Sequence, residues 1–135
     1  MKFSKKSEYA LRAMVVMSGH QGSLQTIPKI SAEASVPSKF LEQILLALRH
    51  AGLLQSRRGS GGGYLLEKAP SSIRLIDIIA AVESKPAPVS SSPKKDAVDL
   101  FLSGIELEIQ THLEETTLED LVRLAQPADA THFDI

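Results

Sequence analysis

The chain has 135 residues, 43% hydrophobic and 23% charged, with a net charge of −1, which suits one domain with an appendage. Residues 1–68 carry ten Lys/Arg against four Asp/Glu, a net of +6, while residues 69–135 carry five against twelve, a net of −7. The first half is therefore fit to meet a polyanion and the second is not. There is no cysteine, which excludes disulfides, thiolate catalysis and cysteine-based metal sites and fits a cytoplasmic protein.

No apolar run approaches the roughly 20 residues that span a bilayer, so no membrane partner is expected. The N-terminus is basic and then apolar, as in a signal peptide, but Glu8 and Arg12 interrupt it and no small-residue cleavage site follows. It reads instead as an amphipathic helix over about 4–18, with Ser4 as N-cap and Tyr9, Leu11, Ala13, Val16 and Met17 as its apolar positions.

A loop, "HQGSLQT", leads to a short helix, "IPKISAEA", which Thr26 caps and whose first turn tolerates Pro28. "SVPS" is a tight turn. A strong helix over about 38–51 follows, with Phe40, Leu41, Ile44, Leu45 and Leu48 at steps of three and four and Gly52 just past its end. Leu53 to Arg57 and Gly63 to Glu67 read as two short strands joined by a glycine-rich turn. "SSIRLIDIIAAVES" is again helical, with Ile76, Ile79, Ala80 and Val82 on one side. "KPAPVSSSPKK" is a loop or linker. A longer helix then carries Val98, Leu102, Ile105, Ile109 and Leu113 along one seam, which asks for a partner helix. "TTLEDLVRLA" starts a short last helix capped by Thr117, and "QPADATHFDI" is a tail.

Helix, turn, helix and basic-tipped hairpin is the order of a winged helix-turn-helix. The third helix would enter a DNA major groove by its N-terminal end. Its first turns offer Ser38, Lys39, Glu42 and Gln43: Ser and Lys for phosphates or bases, Gln for adenine, Glu for cytosine N4. An ordinary polar helix face is the plainer alternative. In the wing, Arg57 and Arg58 supply charge, and Gly59, Gly61 and Gly62 let the backbone approach a phosphodiester or the minor groove. A flexible tip without function is the alternative there. A nucleotide pocket needs a helix after the glycines, whereas Tyr64-Leu65-Leu66 continues as a strand. No nucleophile–base or metal constellation supports an enzyme.

"MKFSKKSEYALRAM", "FLEQILLALRHAGLLQSRRGSGGGYLL", "IRLIDIIAAVE" and "TTLEDLV" resemble, in this order and spacing, the Rrf2-type bacterial transcription regulators over about residues 1–125. The resemblance implies a fold that is mainly α with a small β-hairpin: a winged helix-turn-helix domain (1–84), a Pro/Ser-rich loop (85–95), a dimerisation helix with a short terminal helix (96–126) and a tail (127–135). It implies a homodimeric repressor or activator, here taken as a repressor, on pseudo-palindromic double-stranded DNA, with the 98–113 seam as the dimer contact. It also implies that Glu42 and Gln43 read bases, that Arg58 enters the minor groove, and that Ser4 and Lys5 meet phosphates. Pro37 stands where many members have a Ser cap. Several branches hold an iron–sulfur cluster through three cysteines between the wing and the dimerisation helix. This segment has none. Asp96 and Asp99 fall near two of the ligand positions but read as helix N-terminal acids, and none of His20, His50, His112 and His132 forms an i, i+4 pair. No metal or other cofactor is expected. A protein or small-molecule effector is what cluster-free members imply. The rival from another class is a winged-helix protein–protein interaction module.

Overall fold

A computed structural model describes residues 3–83 and 96–125. The expected Pro/Ser-rich loop and the tail lie outside the described residues. The order is α1 (Lys5–Ser18), α2 (Ile27–Ala34), α3 (Ser38–His50), β1 (Leu54–Arg57), β2 (Gly63–Leu66), a 3₁₀ turn (Pro70–Ser72), α4 (Leu75–Val82), α5 (Ala97–Glu115) and α6 (Leu118–Arg123). The fold is mainly α with one two-stranded antiparallel sheet, as the sequence leads one to expect.

The starts of the helices follow from their caps. Ser4 accepts from the Ser7 N–H at 3.1 Å, and Thr26 from the Lys29 N–H at 3.4 Å. Pro37 begins α3 with no side-chain cap, a loss of about 1 kcal/mol against a serine there. α3 ends in a Schellman turn: Gly52 N–H donates to Arg49 O and Leu53 N–H to Leu48 O, both at 3.0 Å. That turn feeds the chain directly into β1.

α1, α2, α3 and α4 enclose one core with the inner face of the hairpin. α3 buries Leu41, Ile44, Leu45 and Leu48, but Phe40, expected on that stripe, is 45% exposed. α1 buries Ala10, Ala13, Met14 and Met17, while Tyr9, Leu11 and Val16 only flank the core. The alanines bring its backbone close to its neighbours. α4 buries Leu75, Ile78 and Val82, so of the expected Ile76, Ile79, Ala80 and Val82 face only Val82 points inward. In "LIDIIAAV" nearly every position is apolar, so periodicity cannot choose the inward side.

Two links were not visible as strands. Gln25 pairs with Tyr64 through Gln25 N–H to Tyr64 O (2.8 Å) and Tyr64 N–H to Gln25 O (2.9 Å), fastening the wing to the segment before α2. Thr117 bridges Arg74, with Leu75 N–H donating to Thr116 O and Leu118 N–H to Ile73 O. This second link returns α6 to α1 and seats Leu118 in the core at 0% exposure. No described helix is long and apolar enough to cross a membrane.

Candidate nucleic-acid interface

The buried stripe of α3 turns its other side outward. Ser38, Lys39, Glu42 and Gln43 are all exposed, so the residues expected to read DNA share the accessible face of a helix that the core holds rigid. Lys39 Nζ lies 4.9 Å from the Phe40 ring centroid. Phe40 stacks on Tyr9 of α1 with centroids 6.0 Å apart, and Lys5 Nζ is 5.8 Å from the Tyr9 centroid. Lys5, Lys6, Tyr9, Phe40, Gln43 and Ile44 line one cleft of about 320 Å³. The structure thus brings the start of α1 and the start of α3 together, Lys5 beside Gln43. Lys6, Tyr9 and Phe40 had not been singled out for this surface. The available signal was an aromatic three residues before Gln43, and it reads equally as core.

The wing stands apart from that cleft. Arg57 pairs with Gly63 at the end of the ladder, and Arg58 and Gly59 open the turn. Arg57, Arg58, Gly59 and Gly61 are exposed. Among the described residues neither arginine forms an ion pair. Gly62, expected to give clearance for DNA, and Gly63 are also required by contacts within the protein. A Cβ on Gly62 would overlap the Arg57 carbonyl oxygen, and one on Gly63 would stand 2.5 Å from the Gln25 carbonyl oxygen. Both allow close approach within the protein.

The two expected phosphate contacts on α1 are partly engaged. Lys5 Nζ is 3.6 Å from Glu8. The Ser4 hydroxyl, besides capping α1, donates to the Glu83 carboxylate, which also accepts from Ser7 Oγ at 2.6 Å. Ser4, then Ser7, hold the Glu83 carboxyl below its ordinary pKa. A depressed folded pKa stabilises the fold above the unfolded carboxylate range, and that contribution is lost as pH falls through the folded value. Glu83→Gln is therefore expected to melt lower than the wild type at neutral pH, and to lose less on acidification to about pH 3. Equal acid losses in thermal melts of the two proteins would contradict the clasp.

The expected dimer seam divides. Leu113 packs against the chain's own core and Ile105 and Ile109 are half-buried, whereas Val98 and Leu102 are 64% and 49% exposed. Phe101 adds a further exposed aromatic beside them. Asp96 caps α5, its carboxylate accepting from Asp99 N–H at 2.9 Å, and Asp99 lies in the helix's first turn. Among the described residues no group of three His, Cys, Asp or Glu is placed to hold a metal ion.

Comparison with known proteins agrees with this fold. The Rrf2 family model, described as an iron-dependent transcriptional regulator, matches residues 3–124. The HTH-type transcriptional regulator IscR of Cereibacter sphaeroides is 31% identical, over 91% of this chain and 88% of the relative. The HTH-type transcriptional regulator CymR of Bacillus subtilis is 36% identical, over 90% and 89%. The solved structure of the B. subtilis CymR, titled the global cysteine regulator, superposes with a TM-score of 0.82 at 31% identity, covering 93% of this chain and 99% of that one.

Proposed function

The chain belongs to the Rrf2 family of DNA-binding transcription regulators, a non-enzymatic class, and on that premise we propose that it is a homodimeric, sequence-specific repressor that works without an iron–sulfur cluster. The observation that carries the reading is α3: Ser38, Lys39, Glu42 and Gln43 all exposed on the first turns of a helix whose opposite face is buried. Glu42 and Gln43 are the base readers, and Arg58 on the wing probes the minor groove. Arg57, Lys39, Lys5 and the backbone at Gly59 and Gly61 position the protein on phosphates. Ser4 acts through its cap, orienting the start of α1.

Homodimer formation is supported by α5, a 19-residue helix with no buried residue. Two copies on a two-fold axis match a pseudo-palindromic operator. Repression needs only occupancy of that operator, in the bacterial cytoplasm. The residues present do not fit an iron–sulfur cluster. The sequence has no cysteine, and Asp96 is committed to the α5 cap. Signal input then comes through a protein partner or a small-molecule effector acting where α5 leaves the winged-helix domain.

Selection of bound fragments from the source genome, followed by titration of the recovered duplex, tests the reading. Arg58→Ala is expected to weaken binding about tenfold or more and to relax preference at the positions under the wing. Unchanged affinity would remove the wing from the interface. A monomer indifferent to all DNA would mark a protein-docking module instead.

A further inference from the structure

Phe40 is an aromatic side chain at a solvent-facing place. It lies in the first turn of α3, three residues before Gln43, and is 45% exposed. Its ring is nevertheless held in position. It stacks on Tyr9 with 27° between the ring planes and carries Lys39 Nζ over its face. Preorganised apolar surface of this kind, next to a base-reading amide, is suited to contact rather than to packing. The cleft that Phe40 lines with Tyr9 and Ile44 also has Lys5 and Lys6 on its wall. An apolar lining with cations beside it matches a single nucleotide, apolar toward the base and positive toward its phosphate. Thymine is the base that offers an apolar group, its 5-methyl, in the major groove, and Phe is among the side chains that contact it.

Resting on the reading that α3 enters the major groove, we propose that Phe40 specifies a thymine by its 5-methyl group, next to the base that Gln43 pairs, with Lys5 and Lys6 on the flanking phosphate. Leu46, 42% exposed on the third turn of α3, is the competing apolar reader. It sits deeper along the helix and lines no part of the cleft.

The test uses the tightest duplex recovered by this protein from a random library. Each thymine is replaced in turn by deoxyuridine, which removes only the methyl. For the wild type, one position per half-site is expected to lose about fourfold in affinity, the order for one buried methyl group. Phe40→Ala and Phe40→Gln, both at an exposed position, should bind the parent duplex more weakly and be indifferent to deoxyuridine there. They should remain sensitive to base changes opposite Glu42 and Gln43. If no position responds in the wild type, or if the response survives in both Phe40 variants and disappears in Leu46→Ala, the proposal is overturned while DNA binding stands. If no duplex is recovered at all, the DNA-binding reading fails and the proposal falls with it.

Discussion

Leu102→Asp is expected to convert a dimer into a monomer and to lower operator affinity by about a hundredfold or more. The effect follows from what α5 lacks. Its 19 residues include no buried side chain, yet Val98, Phe101 and Leu102 present 64%, 68% and 49% of their surfaces to solvent along one side. A contiguous apolar face of this size on a single chain asks for cover, and in the proposed homodimer a second copy would cover it symmetrically. Leu102 lies away from Leu113, the part of the seam that packs on the protomer's own core, so a charge there leaves the winged-helix domain intact. Each monomer would then grip one half-site without the effective concentration that its partner provides. Sedimentation and DNA titration of the same sample read both effects. A variant that remains dimeric with full affinity would place the dimer contact elsewhere.

Gly63→Ala is expected to cost about 2–4 kcal/mol of stability, far more than an alanine at Gly61 in the same wing. Its Cβ would stand 2.5 Å from the Gln25 carbonyl oxygen and 2.8 Å from the carbonyl carbon, at a φ of +151°. Relief requires breaking the Gln25–Tyr64 pair, the two hydrogen bonds that fasten the hairpin to the segment before α2. Gly61→Ala is the control: it also has positive φ, but nothing lies within 4 Å of the added carbon, and the cost there is about 1 kcal/mol. Urea melts of the two variants separate local strain from collision. Operator affinity should fall with Gly63→Ala as well, because a loosened wing no longer holds Arg58 in place. Equal, mild losses for both would mean that the hairpin adjusts freely and that its anchoring is not specific.

This contrast shows where sequence reasoning reaches and where it stops. Local chemistry was legible: Ser4, Thr26 and Thr117 cap helices as their types require, Pro37 leaves α3 uncapped, and the glycine run joins two strands. The exposure of Ser38, Lys39, Glu42 and Gln43 on α3 was legible too, because Leu41, Ile44, Leu45 and Leu48 define the buried side and leave the rest outside. Long-range pairing was not. Nothing in "HQGSLQT" marks Gln25 as a strand partner of Tyr64, so the role of Gly63 could not be read, and Gly62 was credited to DNA alone. The inward face of α4 was hidden by uniform hydrophobicity. Phe40 reads as inward from sequence because an aromatic at helical spacing usually is, and only the position of Tyr9 shows it held at the surface.

The central claim, that the basic first half grips a DNA duplex through its phosphates and bases, is tested most directly by titrating duplex from the protein's own promoter region at two salt concentrations. Lys5, Lys6, Lys39, Arg57 and Arg58 on each protomer should release several counterions. Affinity is then expected to drop by about a hundredfold or more between roughly 50 and 200 mM salt. Binding no tighter than micromolar at the lower salt, or an affinity indifferent to the change, would contradict the account.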